Sequence, residues 1–200
     1  MARFFLLVIF LFSFEFNADE TDGLPELATE SEKRKLQNRR SKVLTPSVAK
    51  RVQRIVENLD QAGQYEEAKT ILLKEAAKDK TLKAEKEAAA KEKDKDIARV
   101  VKKAEEELSE LRERFDTLKS YDRSMYYYYS AYYNLAYQDK ISEAMNNYVK
   151  LVAEKDTAEK LRVTAYYVLA QLYLSESNYQ SGLDYLLRWF KNAAEVNPDG

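Results

Sequence analysis

The stretch that decides the fold is YYVLAQLYLSESNYQSGLDYLLRWFKNAA, residues 166–194. Its apolar residues recur at helical spacing on both sides of Ser177-Asn178, where the polar residues predict a turn. Small residues at Ala170 and Gly182 allow two helices to approach closely, and large side chains are expected to fill the remaining space between them. Those large residues are Tyr166, Leu169, Tyr173 and Tyr179. The sequence therefore predicts a pair of antiparallel helices here.

The same pattern occurs twice more upstream, with Ala144 and Ala68 in the place of Gly182. A repeated helix-turn-helix unit of about 34 residues is the layout of a tetratricopeptide repeat, and one unit cannot bury its apolar face alone. We therefore expect an all-α fold in which tetratricopeptide-like antiparallel helix pairs form a short right-handed solenoid with a long charged helical insert.

Five segments follow from this pattern. Residues 1–18 are expected to be a signal peptide, and 19–43 a disordered polar linker. Residues 44–78 form the first helix pair, opened by Thr45-Pro46 and turned at Gly63, where glycine suits the end of a helix. Residues 79–119 are the charged helical insert, and 120–196 hold two further units.

The amino terminus predicts export. An apolar run from Phe4 to Phe12 follows one arginine, and it is shorter than the roughly 20 residues that span a membrane. Ala18 then offers a weak cleavage site. An uncleaved anchor in the inner membrane, facing the periplasm, is the alternative.

The insert ends in one apolar stripe at spacings of four and three residues. The stripe consists of Ile97, Val101, Ala104, Leu108, Leu111, Phe115 and Leu118. Two interpretations remain open: the stripe packs back onto the neighbouring repeat, or it is a coiled-coil seam with another chain.

The composition argues against catalysis. The 200 residues include no cysteine and no histidine, which removes thiol nucleophiles, histidine proton shuttles and the usual zinc sites. We expect no enzyme, no metal and no cofactor, and the net charge of −1 gives no reason to expect nucleic acid as a partner. Export without cysteine suits a bacterial periplasm.

Seven tyrosines lie between Tyr126 and Tyr137, more than one buried stripe can hold. If Ala144 sets the register, Tyr128 and Leu135 point into the core. Four of the other tyrosines are then expected to line an inner groove that binds a partner, because exposed tyrosine suits binding surfaces. The expected groove residues are Tyr126, Tyr129, Tyr133 and Tyr137, with Tyr167 and Gln171 from the next unit. The alternative is a thick aromatic core between repeats.

Three stretches carry a family resemblance. The first is LTPSVAKRVQRIVENLDQAGQYEEA, residues 44–68. The second is LKSYDRSMYYYYSAYYNLAYQDKISEAMNNYVKLVA, residues 118–153, and the third is LRVTAYYVLAQLYLSESNYQSGLDYLLRWF, residues 161–190. They resemble the periplasmic tetratricopeptide proteins of the TonB system in marine and related gammaproteobacteria.

The resemblance implies a non-catalytic helper for TonB and its two membrane partners, with a part in iron-chelate uptake across the outer membrane. It marks structural positions only, here Tyr166, Leu169, Ala170, Tyr173, Tyr179, Gly182 and Trp189. The charged insert departs from the family pattern, as does the end of the chain, since the family usually carries more repeats.

Two functions from different classes are thus expected. The first is a periplasmic adaptor that binds a protein or peptide partner, such as a component of the TonB complex, in its groove. The second is a structural protein that self-associates through the 97–118 stripe. Contact with the membrane is expected only by association or through an uncleaved anchor.

Overall fold

The structure is a computed structural model that describes residues 42–196, with side chains described as far as residue 193. Within this range the chain is all-α, as predicted, with no strand. The helices are α1 (Pro46–Lys78), α2 (Lys83–Glu113), α3 (Ser120–Tyr137), α4 (Ile141–Ala153), α5 (Glu159–Ser175) and α6 (Tyr179–Val196), and a 3-10 turn at Phe115–Thr117 follows α2. The predicted signal peptide and all but the last two residues of the predicted linker lie outside the described residues.

Consecutive helices form three antiparallel pairs. In the first pair, the end of α1 meets the start of α2, where Glu75 and Lys86 are 2.7 Å apart. Near the other end, Arg54 lies 2.6 Å from Glu107. Each pair also contacts the next, through α2 and α3 and then through α4 and α5.

The predicted turn at Gly63 is wrong. Gly63 lies inside α1, which runs unbroken for 33 residues. Its backbone is outside the left-handed region, and a side chain there would meet nothing within 4 Å. One glycine costs a helix only about 1 kcal/mol, and the following residues are mostly strong helix formers, Glu, Ala, Lys and Leu. The helix therefore continues, and 44–78 is not a helix pair.

The predicted insert is instead the second helix of the first pair. Most of the 97–118 stripe is buried against α1, with Ala104 and Leu111 almost fully covered. The stripe thus packs inside the chain, as the first of the two interpretations expected, and it is not free to form a seam with another chain. Ala68, the predicted small-residue position of the first unit, is half-buried on α1.

The core has two clusters that meet at α3. The first lies between α1, α2 and α3 and includes Ile55 and Leu111; the second lies between α3, α4 and α5 and includes Leu151 and Leu169. Tyr128 packs against both clusters. Ala144 is fully buried, as its repeat position predicts.

The third pair follows the prediction closely. Its turn lies at residues 176–178, with Ser177 at a φ of 61°. Tyr166 and Tyr173 both pack on Tyr185 of α6, the latter stacked with its ring centroid 5.5 Å away. Leu169 and Ala170 are buried.

Gly182 lies where α6 packs closely against α5. A Cβ at this position would lie 2.7 Å from Cγ and Cδ2 of Leu174 and 3.3 Å from the Leu174 backbone nitrogen. The predicted need for a small residue at 182 is therefore confirmed.

Tyr179 is the exception in this pair. It was expected between the helices, but it is 64% exposed. The packed face of α6 carries Gly182 and Tyr185 instead, and Tyr179 lies beside that face.

Candidate functional site

A cleft of about 600 Å³ lies between α2, α3 and α4. Helix α2 forms one wall, α4 forms the other, and the tyrosine-rich helix α3 lies between them. The cleft is bounded by Glu105, Leu108, Ser109, Arg112 and Phe115 on one side, by Tyr126, Tyr127, Ser130, Tyr133 and Asn134 along α3, and by Lys140, Glu143, Asn146, Asn147 and Lys150 on the other side.

Two connections at the first turn of α3 hold this helix in place. Asp122 is 1% exposed and accepts hydrogen bonds from the backbone nitrogen of Thr45, at 2.9 Å, and from the Thr45 hydroxyl. The carboxyl group thereby satisfies a backbone donor at the start of α1 from another helix. Thr45 itself forms no side-chain cap for α1, in contrast to the capping role expected for it.

The second connection joins α3 to the end of α4. Arg123 donates two hydrogen bonds to Glu154, at 2.7 and 3.1 Å, and Ser120 donates a third at 2.8 Å. Burial tends to raise the pKa of Glu154, but the Arg123 guanidinium and the Ser120 hydroxyl outweigh it, so the pKa lies below its ordinary value. This connection fixes the α4 wall of the cleft relative to its floor.

Aromatic rings line the end of the cleft nearest the 3-10 turn. Phe115 lies 5.4 Å from Tyr126 and 5.3 Å from Tyr127 between ring centroids, and the two tyrosines are 5.6 Å apart. Three mutually packed rings form a rigid apolar surface, which costs little conformational entropy when a ligand binds to it.

Tyr133 forms the opposite part of the floor. It is 6% exposed, and its hydroxyl accepts a hydrogen bond of 2.7 Å from Gln138. Burial raises the pKa of Tyr133 to about 12, and the nearby carboxylate of Glu105 adds to this shift. The hydroxyl therefore stays neutral at physiological pH.

The walls carry more positive than negative charge. Arg112, Lys140 and Lys150 stand against Glu105 and Glu143, and none of the five is in an ion pair with another residue of the described range. Lys150 lies 5.9 Å from the centre of the Tyr127 ring. The cleft thus offers three cationic groups that form no ion pair with any residue from 42 to 193.

Three carboxamide side chains complete the site: Asn134, Asn146 and Asn147. Their side chains form no hydrogen bond with any other described residue. A carboxamide both donates and accepts, so it matches the N–H and C=O groups of an extended peptide backbone.

The structure separates the six residues that were expected to share one groove. Only Tyr126 and Tyr133 line the cleft. Tyr129 and Tyr137 pack on the side of α3 that faces α1, where the Tyr137 hydroxyl donates to the Leu59 carbonyl at 3.4 Å. Burial raises the pKa of both of these tyrosines.

The other two expected groove residues, Tyr167 and Gln171, are exposed on α5 in the third pair, with the Tyr167 ring 5.2 Å from Trp189. None of the seven tyrosines from Tyr126 to Tyr137 is fully exposed, so the alternative of an aromatic core between repeats describes them better.

Sequence reasoning missed the polar half of the cleft. Glu143, Asn146, Asn147 and Lys150 share the face of α4 opposite the buried Ala144 and Tyr148, and this face is visible as a polar stripe in the sequence. What the sequence did not reveal is that α2 faces this stripe, because α2 had been assigned to an insert.

Among the described helices none is long and apolar enough to cross a membrane, and no group of three or more acidic residues in the same range is placed to hold a metal ion. No family model, no curated protein and no solved structure matches the chain.

Proposed function

We propose that the protein is a non-catalytic helical adaptor whose cleft binds an extended segment of a partner protein. The observation that carries this proposal is the cleft between α2, α3 and α4, where a rigid aromatic floor lies between carboxamides and cations that have no hydrogen-bond or ion-pair partner among the described residues. Aromatic rings supply buried area, and the carboxamides supply hydrogen bonds for a backbone.

The net positive charge of the cleft indicates the charge of the segment that it binds. Three cations against two carboxylates favour a segment that brings carboxylates of its own. Because these cations are exposed, they contribute mainly to the association rate and to specificity, and salt weakens their effect.

The wider architecture and setting are part of the same proposal. We infer that the three helix pairs form a tetratricopeptide-like right-handed solenoid, supported by their antiparallel pairing and by contacts from each pair to the next. The sequence resemblance supports export to the periplasm and a role beside TonB in iron-chelate uptake. The absence of cysteine and histidine from the whole chain supports a non-catalytic role.

Site-specific photo-crosslinking tests the proposal. A photoreactive residue is placed at Asn146, which is exposed on the wall of the cleft, and at Gln53, which is equally exposed on α1 outside it. In intact cells the Asn146 probe is expected to capture one dominant partner, and the Gln53 probe is not. Equal capture from both positions, or none from Asn146, would show that the cleft is not a binding site.

The same experiment tests the proposed setting. Mass spectrometry of the captured product identifies the protein and the crosslinked segment. A TonB-complex component with an acidic segment at the crosslink supports the full proposal. A partner from another compartment supports an adaptor but removes the TonB role.

A further inference from the structure

Helix α6 presents a stripe of large apolar side chains to solvent. Tyr179, Leu187 and Phe190 are each 64% exposed, and Leu183 is 52% exposed. Spacings of four, four and three residues place these four side chains along one helix face. Single exposed apolar residues are ordinary, but a continuous exposed stripe marks an interaction surface.

This stripe is separate from the packing inside the third pair. α6 contacts α5 through Gly182, Tyr185 and Trp189, which lie on the adjoining face of the helix. The helix therefore has two apolar faces, and no described helix covers the second one. The stripe is also distinct from the cleft, none of whose lining residues lies on α6.

We propose that a second copy of this chain covers the stripe, with the two α6 helices antiparallel about a two-fold axis near Leu187. Leu183 lies four residues before Leu187, and Phe190 lies three residues after it. An antiparallel copy therefore places Leu183 opposite Phe190 of the other copy and brings the two Leu187 side chains together. From Leu183 to Phe190 the stripe is nearly symmetric about Leu187, as an interface between identical surfaces requires.

The charged residues beside the stripe also favour the antiparallel arrangement. Asp184 and Lys191 flank it on one side, and neither is in an ion pair with another described residue. In the antiparallel arrangement Asp184 of each copy faces Lys191 of the other. In a parallel two-fold arrangement the two copies would carry these residues on opposite sides of the interface, where Asp184 and Lys191 could not pair. The surface thus complements itself in one orientation only.

The exposed area fits a modest dimer. A Tyr or Phe side chain buries about 150–250 Å², so a ring that is 64% exposed offers on the order of 130 Å². With the two leucines the stripe offers on the order of 400 Å² per copy, about half of a standard interface of roughly 800 Å² per partner. The dimer is accordingly weak to moderate, with flanking residues supplying the rest of the contact.

Sedimentation of the whole chain over a range of concentrations tests the proposal. A monomer–dimer equilibrium is expected at concentrations on the order of 10 µM. Leu187→Glu is expected to weaken the dimer by about 30-fold or more, as loss of a central hot-spot residue does. Leu73→Glu is the matched control, since Leu73 is exposed on α1, and it leaves the equilibrium unchanged.

Charge exchange tests the orientation. Asp184→Lys alone is expected to weaken the dimer about fivefold, because both symmetry-related pairs become repulsive. Adding Lys191→Asp restores the wild-type constant.

Three results would overturn the inference: a chain that stays monomeric at all concentrations, a dimer that tolerates Leu187→Glu, or Asp184→Lys without effect. These outcomes are independent of crosslinking in the cleft.

Discussion

Gly63 and Gly182 offer a direct test of the packing, because both lie within helices but in opposite surroundings. A Cβ at Gly63 meets nothing within 4 Å, whereas a Cβ at Gly182 lies 2.7 Å from two carbons of Leu174. The perturbation is the same at both positions, glycine to alanine, so the gain in helix propensity is also the same. The difference between the two variants isolates the contact between α5 and α6.

At each position, the gain in helix propensity and the cost of packing together decide whether the substitution stabilises or destabilises the protein. Alanine in place of a helical glycine stabilises by about 1 kcal/mol, and this is the whole effect expected of Gly63→Ala. At Gly182 the added methyl group also displaces Leu174, and overpacking of this kind costs about 1–3 kcal/mol. A rotamer change of Leu174 would move Cγ and Cδ2 away, but its backbone nitrogen would stay 3.3 Å from the added carbon, so the helices must also shift slightly. The larger variant Gly182→Leu is expected to cost still more.

Urea and thermal unfolding of the two variants measure this difference. Gly63→Ala is expected to raise the melting temperature by about 2–4 °C, the shift that 1 kcal/mol produces in a chain of this size. Gly182→Ala is expected to melt below Gly63→Ala by about 4–8 °C, which corresponds to a packing cost of about 2 kcal/mol. If both variants rise equally, α5 and α6 do not meet at Gly182. If Gly63→Ala destabilises, the chain turns at Gly63 after all.

Three further predictions follow from the contacts of α3 and α5. Asp122→Ala should lower the free energy of unfolding by about 2 kcal/mol, because it removes a buried carboxylate and leaves the partly buried backbone nitrogen of Thr45 without an acceptor. Asp122→Asn should cost less, and equal losses of the two variants in urea unfolding would count against this role. The pKa of Glu154 is lowered in the folded protein, so its ion pair with Arg123 stabilises the fold fully above the ordinary pKa of 4.5, and this stabilisation is lost as the pH falls through the lower folded value. Glu154→Gln should therefore reduce the free energy of unfolding at pH 7 and make it decline less steeply in acid. An unchanged decline in acid would contradict this. Tyr133→Ala should lower the free energy of unfolding by about 3–5 kcal/mol, as for a buried aromatic residue, whereas Tyr167→Ala should lower it by less than about 1 kcal/mol. Similar losses of stability in the two variants would refute the placement of Tyr133 in the core.

The third helix pair could be predicted from sequence because its signals are local. The spacing around Leu169, the polar turn and Gly182 all depend on residues within one unit. Tyr179 was misplaced because a helix in an array has apolar residues on two adjoining faces. Periodicity gives the stripes, but it does not say which one packs against the partner helix.

The first pair shows where such reasoning fails. Gly63 resembles a helix end in sequence, but its effect depends on the strength of the surrounding helix rather than on the glycine itself. Once α1 was taken as two helices, α2 had no partner and was assigned to an insert. The cleft was missed for the same reason, since one of its walls is the end of α2 that holds Arg112.

The tyrosine-rich helix could not be resolved from sequence alone. The helices on both sides of α3 present large side chains to it, and its tyrosines pack against them. For example, Tyr128 packs on Tyr148, and Tyr126 packs on Phe115. Seven tyrosines on one helix predicted an exposed binding face because one buried stripe cannot hold them. A helix that lies between two pairs has more than one buried face.

The most direct test of the proposed adaptor function is the affinity of the crosslinked partner segment, made as a synthetic peptide, for charge variants of the cleft. Lys150→Glu reverses a cation on its wall, and Lys102→Glu makes the same change at an exposed position of α2 outside it. Fluorescence anisotropy is expected to show binding weakened about tenfold by Lys150→Glu, the effect of about 1.4 kcal/mol, and unchanged within twofold by Lys102→Glu. Equal affinity for both variants would contradict an acidic segment bound between α2, α3 and α4.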